Sequence, residues 1–160
     1  MNIQLIRIDD RLIHGQVVVG WVKALEIQRL VVVNDEITKN NMRRTLMEMA
    51  VPTELKVNFL GVREAALASK DDSKERSLLL FASPGDVLTY AKEGGAIVSV
   101  NVGGMHFGEG KTQVTKTICV DSNDLAAFKE LRKLGIELEK QAVPGDVREV
   151  LEKVIPEINQ

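Results

Sequence analysis

At 160 residues, with 28% charged and 44% hydrophobic side chains, the chain has the size and balance of one globular domain rather than of a disordered segment. The 21 lysines and arginines against 23 acidic residues leave a formal net charge of −2, which gives no footing for a nucleic-acid surface or a polybasic membrane tether. A lone cysteine, Cys119, excludes an internal disulfide, no apolar run approaches the ~20 residues of a membrane span, and the N-terminus reads as a strand rather than a signal peptide.

Short apolar runs alternate with helix-patterned segments along the whole chain. Ile3–Ile8 predicts the first strand. The next segment, VVVGWV at 17–22, is in conflict with itself: its β-branched residues and glycine favour a strand. Val18, Trp21, Val22 and Leu25 nevertheless form a helical stripe, and the alternation of elements requires a helix, expected over Gly15 to Leu25. Arg29–Asn34 is the second strand, and its Leu30-Val31-Val32-Val33 run has the lack of alternation expected of a parallel strand buried on both faces. Thr38 is placed to cap a helix running to about Met49, with Met42, Leu46 and Met49 on one face. Leu55–Leu60 is the third strand, and the polar run Ser69–Glu75 reads as a solvated connection.

Ser77–Phe81 is the fourth strand, and Ser83-Pro84 supplies a cap and first-turn proline for a helix ending near Gly94-Gly95. Ala96–Val102 and Thr115–Val120 follow as strands five and six. Asp121 or Ser122 starts a helix that turns Leu125, Phe128, Leu131 and Leu134 inward and stops at Gly135. Glu137–Ala142 is the seventh strand, and Pro144-Gly145-Asp146 turns into a last short helix through Val154, which Pro156 ends. The expected architecture is α/β: an open, mostly parallel β-sheet of about seven strands with helices packed on it, in a single domain.

Ligands in such sheets bind beyond the carboxyl ends of the strands. Four loops belong there: Asp9 to His14, Asn34-Asp35, Ala82-Ser83-Pro84 and Asn101 to Gly110. The first gathers two carboxylates, a guanidinium and an imidazole within six residues, directly ahead of a helix. A helix N-terminus favours a bound phosphoryl group and disfavours an imidazolium, keeping His14 neutral and nucleophilic. Asp9 or Asp10 is placed to accept from one ring nitrogen of His14, which fixes the tautomer and frees the other nitrogen to attack. Arg11 supplies a fork that matches phosphate. A phosphorylated His14 is the simplest species this cluster makes, with Gly15 beside it as a phosphate-binding candidate.

Asn34 and Ser83 are further pocket candidates, although a turn former and a helix cap account for them equally well. His106 is a candidate second phosphate ligand or an interface residue in a glycine-rich loop. Gly110-Lys111-Thr112 looks like the end of a P-loop, but the required first glycine falls on Met105 and a strand follows where a helix is needed. One thiol and two histidines are too few for a zinc site without carboxylate help, so neither a metal nor a cofactor is expected. Cys119 reads as a core filler.

The stretch RIDDRLIHGQV, Arg7 to Val17, resembles the signature of the IIB subunits of the mannose/fructose/sorbose family of the bacterial sugar phosphotransferase system. NVGGMHF at 101–107 and QAVPGD at 141–146 resemble the same family in the expected order, and the likeness spans residues 1–160 as one IIB domain. The resemblance implies a phosphocarrier whose histidine, matching His14, takes a phosphoryl group from a phosphohistidine on a IIA protein. The group then passes to a sugar held by the membrane-embedded IIC and IID subunits, so a cytoplasmic location against the inner face of the membrane is implied. Asp9 and Arg11 match the acidic and basic positions of the family's active-site loop. The transported sugar, the phosphorylated ring nitrogen and a homodimer stay open at this level. Two rivals explain less. A receiver-like signalling module needs an aspartate after the third strand, where the chain has Phe59-Leu60-Gly61-Val62. A non-catalytic small-molecule-binding domain leaves Arg11 and His14 ahead of a helix without a purpose.

Overall fold

The computed structural model describes residues 1–160. Strands in chain order are Asn2–Asp9 (β1), Arg29–Val33 (β2), Lys56–Leu60 (β3), Arg76–Phe81 (β4), Ser99–Gly104 (β5), Thr112–Gln113 (β6), Cys119–Val120 (β7), Glu137–Lys140 (β8) and Glu149–Val150 (β9). Helices are Asn41–Met49 (α1), Val62–Ala68 (α2), Pro84–Lys92 (α3), Ser122–Lys133 (α4) and Leu151–Val154 (α5). One seven-stranded sheet runs β3-β2-β4-β1-β5-β8-β9, parallel throughout except for β9, which pairs antiparallel with β8.

The unbroken apolar runs feed two cores at once. Leu30, Val32, Leu78 and Leu80 point into one, whereas Val31, Val33, Leu79 and Phe81 point into the other. The segment after β1 and helix α1 cover the first face, with Val17, Trp21 and Met47 buried there. Helices α2, α3 and α4 cover the second through Ala65, Val87, Tyr90, Phe128 and Leu131. Right-handed crossovers explain this division, because β1→β2→β3 progresses toward one edge and β3→β4→β5→β8 toward the other. Neighbouring β1 and β5 therefore send their chains in opposite directions from their carboxyl ends. That divergence is the switch point at which open α/β sheets form a crevice.

The contested segment after β1 is helical. Gln16–Val22 is wound as a π-helix, with α-helical Gly15 before it and Lys23-Ala24 after it. Burial of Val17 and Trp21 overrides the local β propensity.

Several expectations need correction. Thr115–Val120 is not a strand of the main sheet: Cys119–Val120 pairs with β6 in a two-stranded ribbon, and Ile118 makes an isolated parallel bridge to Met105 just past β5. The Thr115 hydroxyl accepts from the amides of Thr117 and Ile118 and bends the chain there. The sheet's remaining member is β9, so Pro144–Asp146 leads to a strand before the short α5. Pro156 opens a final 3-10 turn, Pro156–Asn159, at its first position, where its missing N–H is harmless. Helix α1 is capped by Asn40, whose Oδ1 accepts from the Arg43 amide at 3.1 Å, while Thr38 sits in the preceding 3-10 turn. Met42, Leu46 and Met49 share a face, but it is exposed, and Met47 is the methionine of this helix that is buried. Leu134 is also exposed, unlike Phe128 and Leu131 on the same helix. Helix α2 lies in a stretch where the sequence marks only the polar loop after it. Cys119 is buried, as a core filler is.

Candidate active site

At the end of β1 the chain folds back over its own last residue. The Leu12 amide donates to the Asp9 carbonyl at 2.9 Å, and Leu12 sits in the left-handed region at φ 59° with its side chain buried. A non-glycine residue there costs about 1–2 kcal/mol, offset here by burial of the leucine side chain. The tight turn returns His14 to Asp9, with Nε2 at 2.9 Å from Oδ2. The His14 carbonyl then accepts from Val17 and Val18, both at 3.1 Å, and the helical segment begins at once.

Asp9 is fully buried and serves three partners. Its Oδ2 takes His14 at 2.9 Å and Arg7 Nη2 at 3.1 Å; its Oδ1 takes the Arg11 amide at 3.3 Å and Arg11 Nε at 3.4 Å. Burial by itself raises the Asp9 carboxyl. The hydrogen bond with His14 and the charges of Arg7 and Arg11 outweigh that and hold it below its ordinary value. Asp9 is therefore an ionised acceptor, which assigns the Nε2 proton to the bond and leaves Nδ1 of His14 without a hydrogen-bond partner in the protein.

Arg7 has 0% exposure. Its Nη1 donates to Asn101 Oδ1 at 2.5 Å and to the Gln141 carbonyl at 2.9 Å, and its Nη2 donates to the Ala142 carbonyl at 2.9 Å. The guanidinium lies 5.2 Å from the centre of the Trp21 ring, whose Nε1 donates to the same Ala142 carbonyl at 3.1 Å. Burial lowers the Arg7 pKa from its ordinary value, with Asp9 acting against that shift. Gly103 is glycine because a Cβ there would overlap the Arg7 guanidinium, and a Cβ at Gly104 would come to 3.1 Å from Asp9 Oδ1. The three stretches RIDDRLIHGQV, NVGGMHF and QAVPGD thus converge on one buried polar cluster.

Arg11 keeps 43% of its side chain exposed and extends toward Gln16 Oε1 at 3.3 Å. It borders a cavity of ≈ 370 Å³ between the β1 and β5 loops, shared with Gln16, Gly104, His106, Lys116 and Ala142. Asp10 is not the partner of His14. Its carboxylate accepts from the His106 amide at 2.7 Å and pairs with His106 Nδ1 at 2.5 Å, tying the β5 loop to the β1 loop. Gly15 is exposed with open space around it. Asn34 and Ser83 stand outside the Asp9 cluster: Asn34 Oδ1 accepts from the Ile37 amide at 2.9 Å, and Ser83 Oγ accepts from the Asp86 amide at 3.2 Å. No three His, Cys, Asp or Glu side chains are grouped to hold a metal ion, and no helix is long and apolar enough to cross a membrane. Sequence reasoning placed the loop from Asn101 at this edge but gave Arg7, Asn101 and Trp21 no role in the site. For Arg7 the local signal was an arginine set between Ile6 and Ile8 in the first strand.

Comparison with known proteins places this geometry. The family described as "PTS system sorbose subfamily IIB component" matches residues 3–160. The sorbose-specific EIIB component of Klebsiella pneumoniae is 41% identical over 148 residues, covering 91% of this chain and 90% of that protein. The fructose-specific EIIB component of Bacillus subtilis is 36% identical over 100% of this chain and 99% of its own length. The mannose-specific EIIAB component of Escherichia coli K12 is 40% identical, and the chain spans 50% of that longer protein. Among solved structures, the IIBSor domain of the Klebsiella pneumoniae sorbose permease superposes with a TM-score of 0.91 at 40% identity, covering 98% of each chain. The α/β sheet, the IIB match over nearly the whole length and the structural agreement lead to one conclusion: the chain belongs to the sorbose-subfamily IIB components of the sugar phosphotransferase system, phosphocarriers of sugar uptake.

Proposed function

We propose that His14 is the residue that carries the phosphoryl group, and that it does so on Nδ1. The observation that carries this reading is the 2.9 Å bond between Nε2 and the buried Asp9, which fixes the tautomer and leaves the Nδ1 lone pair as the nucleophile. In the first step a phosphohistidine on a IIA protein loses its P–N bond as His14 Nδ1 forms a new one. In the second, the P–N bond at His14 breaks and phosphorus bonds to a hydroxyl oxygen of a sugar held by the membrane IIC and IID subunits, with the hydroxyl proton released. Phosphohistidine is a reactive donor, so transfer depends on alignment and on neutralising the equatorial oxygens rather than on a strong base. Asp9 supplies the alignment through Nε2. Arg11, half-exposed and bonded to the Asp9 carboxylate and to Gln16, supplies a guanidinium at the cavity edge for the oxygens.

The named relatives are specific for sorbose, fructose and mannose, and an N-acetylgalactosamine-specific IIB component of Escherichia coli K12 is 38% identical to this chain, so the expected cargo is mannose, fructose, sorbose or an amino sugar. Because IIC and IID hold the sugar, the IIB site contacts only the hydroxyl it phosphorylates. The protein works in the cytoplasm, meeting the inner face of the membrane through IIC and IID, and each docking is transient, since tight binding to either partner slows exchange. Phosphorylation with a phosphorylated IIA protein, followed by ¹⁵N NMR of the histidine rings, tests the assignment. The expected product is phosphorylated on Nδ1 of His14; phosphate on Nε2, on His106 or on another residue contradicts it.

A further inference from the structure

We propose that Arg7 is a positioning residue for phosphoryl transfer, acting through Asp9 to hold the His14 imidazole oriented yet unprotonated. The proposal rests on the reading of His14 as the phosphoryl carrier. A buried carboxylate 2.9 Å from an imidazole nitrogen favours the imidazolium, which has no lone pair left for phosphorus. The site needs Asp9 for orientation and must blunt its charge. Arg7 does this on the same oxygen: Asp9 Oδ2 receives Arg7 Nη2 at 3.1 Å and His14 at 2.9 Å. Both Arg7 and Asp9 are fully buried, so water does not screen the pair. Arg11 cannot substitute, being 43% exposed and set at 3.4 Å from the other oxygen.

Arg7 is itself held in place from three directions. Asn101 reaches it from β5, the carbonyls of Gln141 and Ala142 from the segment after β8, and the Trp21 ring from the π-helix. Gly103 leaves the space that the guanidinium fills. A fastener between these segments has no need of charge, since a buried ion pair is often replaced by packed apolar side chains without loss of stability. The charge is required by what Asp9 does next to His14. The remaining charged groups around this cluster are Arg11 and Asp10 on the β1 loop, His106 and Lys116 at the cavity, and Lys111, whose charge interacts with Asp10.

The test combines Arg7→Met with Asp9→Asn in a double-mutant cycle, using the full chain and a phosphorylated IIA protein in single turnover. Arg7→Met lowers the rate of phosphoryl uptake several-fold at neutral pH and moves the acid limb of the pH–rate profile upward. In the Asp9→Asn background the same change alters the rate less than about twofold, because the route through Asp9 is already cut. Arg7→Lys, which keeps the charge, restores the acid limb. Equal losses in both backgrounds with an unmoved acid limb overturn the proposal and leave Arg7 a fold residue. If Arg7→Met does not fold, Gly103→Ala, which crowds the guanidinium from its place, is expected to give the same displaced profile; an unchanged profile in that folded variant also overturns the proposal. In the unphosphorylated protein the His14 ring ¹⁵N resonances shift toward the imidazolium position in Arg7→Met. That readout needs no transfer, so unmoved resonances reject the role of Arg7, whereas a wild-type protein that gains no phosphate on His14 rejects the carrier assignment.

Discussion

Replacing Asp9 with alanine removes the only counter-ion of a guanidinium that has 0% exposure. Arg7 retains the Asn101 side chain and the carbonyls of Gln141 and Ala142, which satisfy donors without cancelling the charge. Removing one partner of a buried ion pair costs about 3–5 kcal/mol, mostly the penalty of the charge left behind. Near the melting point of a domain this size, 1 kcal/mol corresponds to roughly 2–4 °C, so Asp9→Ala is expected to melt on the order of 10 °C below wild type at neutral pH. Thermal unfolding followed by circular dichroism and by the fluorescence of Trp21, the single tryptophan, reads this directly. Adding Arg7→Met to Asp9→Ala removes the stranded charge and recovers most of the loss. A melting point for Asp9→Ala within about 2 °C of wild type, or a double variant less stable than the single one, refutes the reasoning.

The same carboxylate contributes to acid stability. The folded-state pKa of Asp9 is held below its ordinary value of about 3.9, so its contribution is present above that value and lost as pH falls through the folded pKa. Urea titrations across the acid range are expected to show a shallower loss of stability in Asp9→Asn than in wild type; parallel curves contradict this. Arg11→Ala slows phosphoryl uptake roughly 10²-fold while its melting point stays within a few degrees of wild type, because the side chain is half-exposed. An Arg11 needed mainly for folding gives the reverse pattern. Ser83→Ala removes the cap on the Asp86 amide and costs about 1 kcal/mol of stability with no change in transfer. A transfer defect in that variant at full stability identifies Ser83 as a phosphate contact instead.

The parts of the fold legible in the sequence were those set by local burial. Runs such as Leu30–Val33 and Leu78–Phe81 are apolar on both faces, and only a covered parallel strand fits them. β9 was illegible because its two residues, Glu149 and Val150, are exposed and gain their structure only from pairing with β8. Helix α2 packs through two alanines and a valine, too small an apolar stripe to stand out over seven residues. Thr38, Asn40 and Asn41 are all competent caps, and the choice of Asn40 is made by the Asn34 and Asp35 turn that winds Ile37–Lys39 first.

The site divides along the same line. Asp9, Arg11 and His14 sit within one turn, so their meeting is written in their spacing. The choice of Asp9 over Asp10 as the partner of His14 is not local, because Asp10 is claimed by His106 from the β5 loop, 96 residues away. Arg7 is further from reach still: its partners Asn101, Gln141 and Ala142 lie 94 to 135 residues along the chain and meet it only when β1, β5 and β8 assemble. An isolated reading of Gly103-Gly104 suggests a close backbone approach. The structure names what approaches, the buried Arg7–Asp9 pair.

The central claim is that one imidazole carries the phosphoryl group. Intact mass spectrometry after incubation with a phosphorylated IIA protein measures it, with each sample read before and after mild acid. Wild-type protein is expected to gain the mass of one phosphoryl group, to lose it in acid, and to gain nothing when His14 is alanine. An acid-labile adduct that persists in the His14→Ala protein contradicts the account.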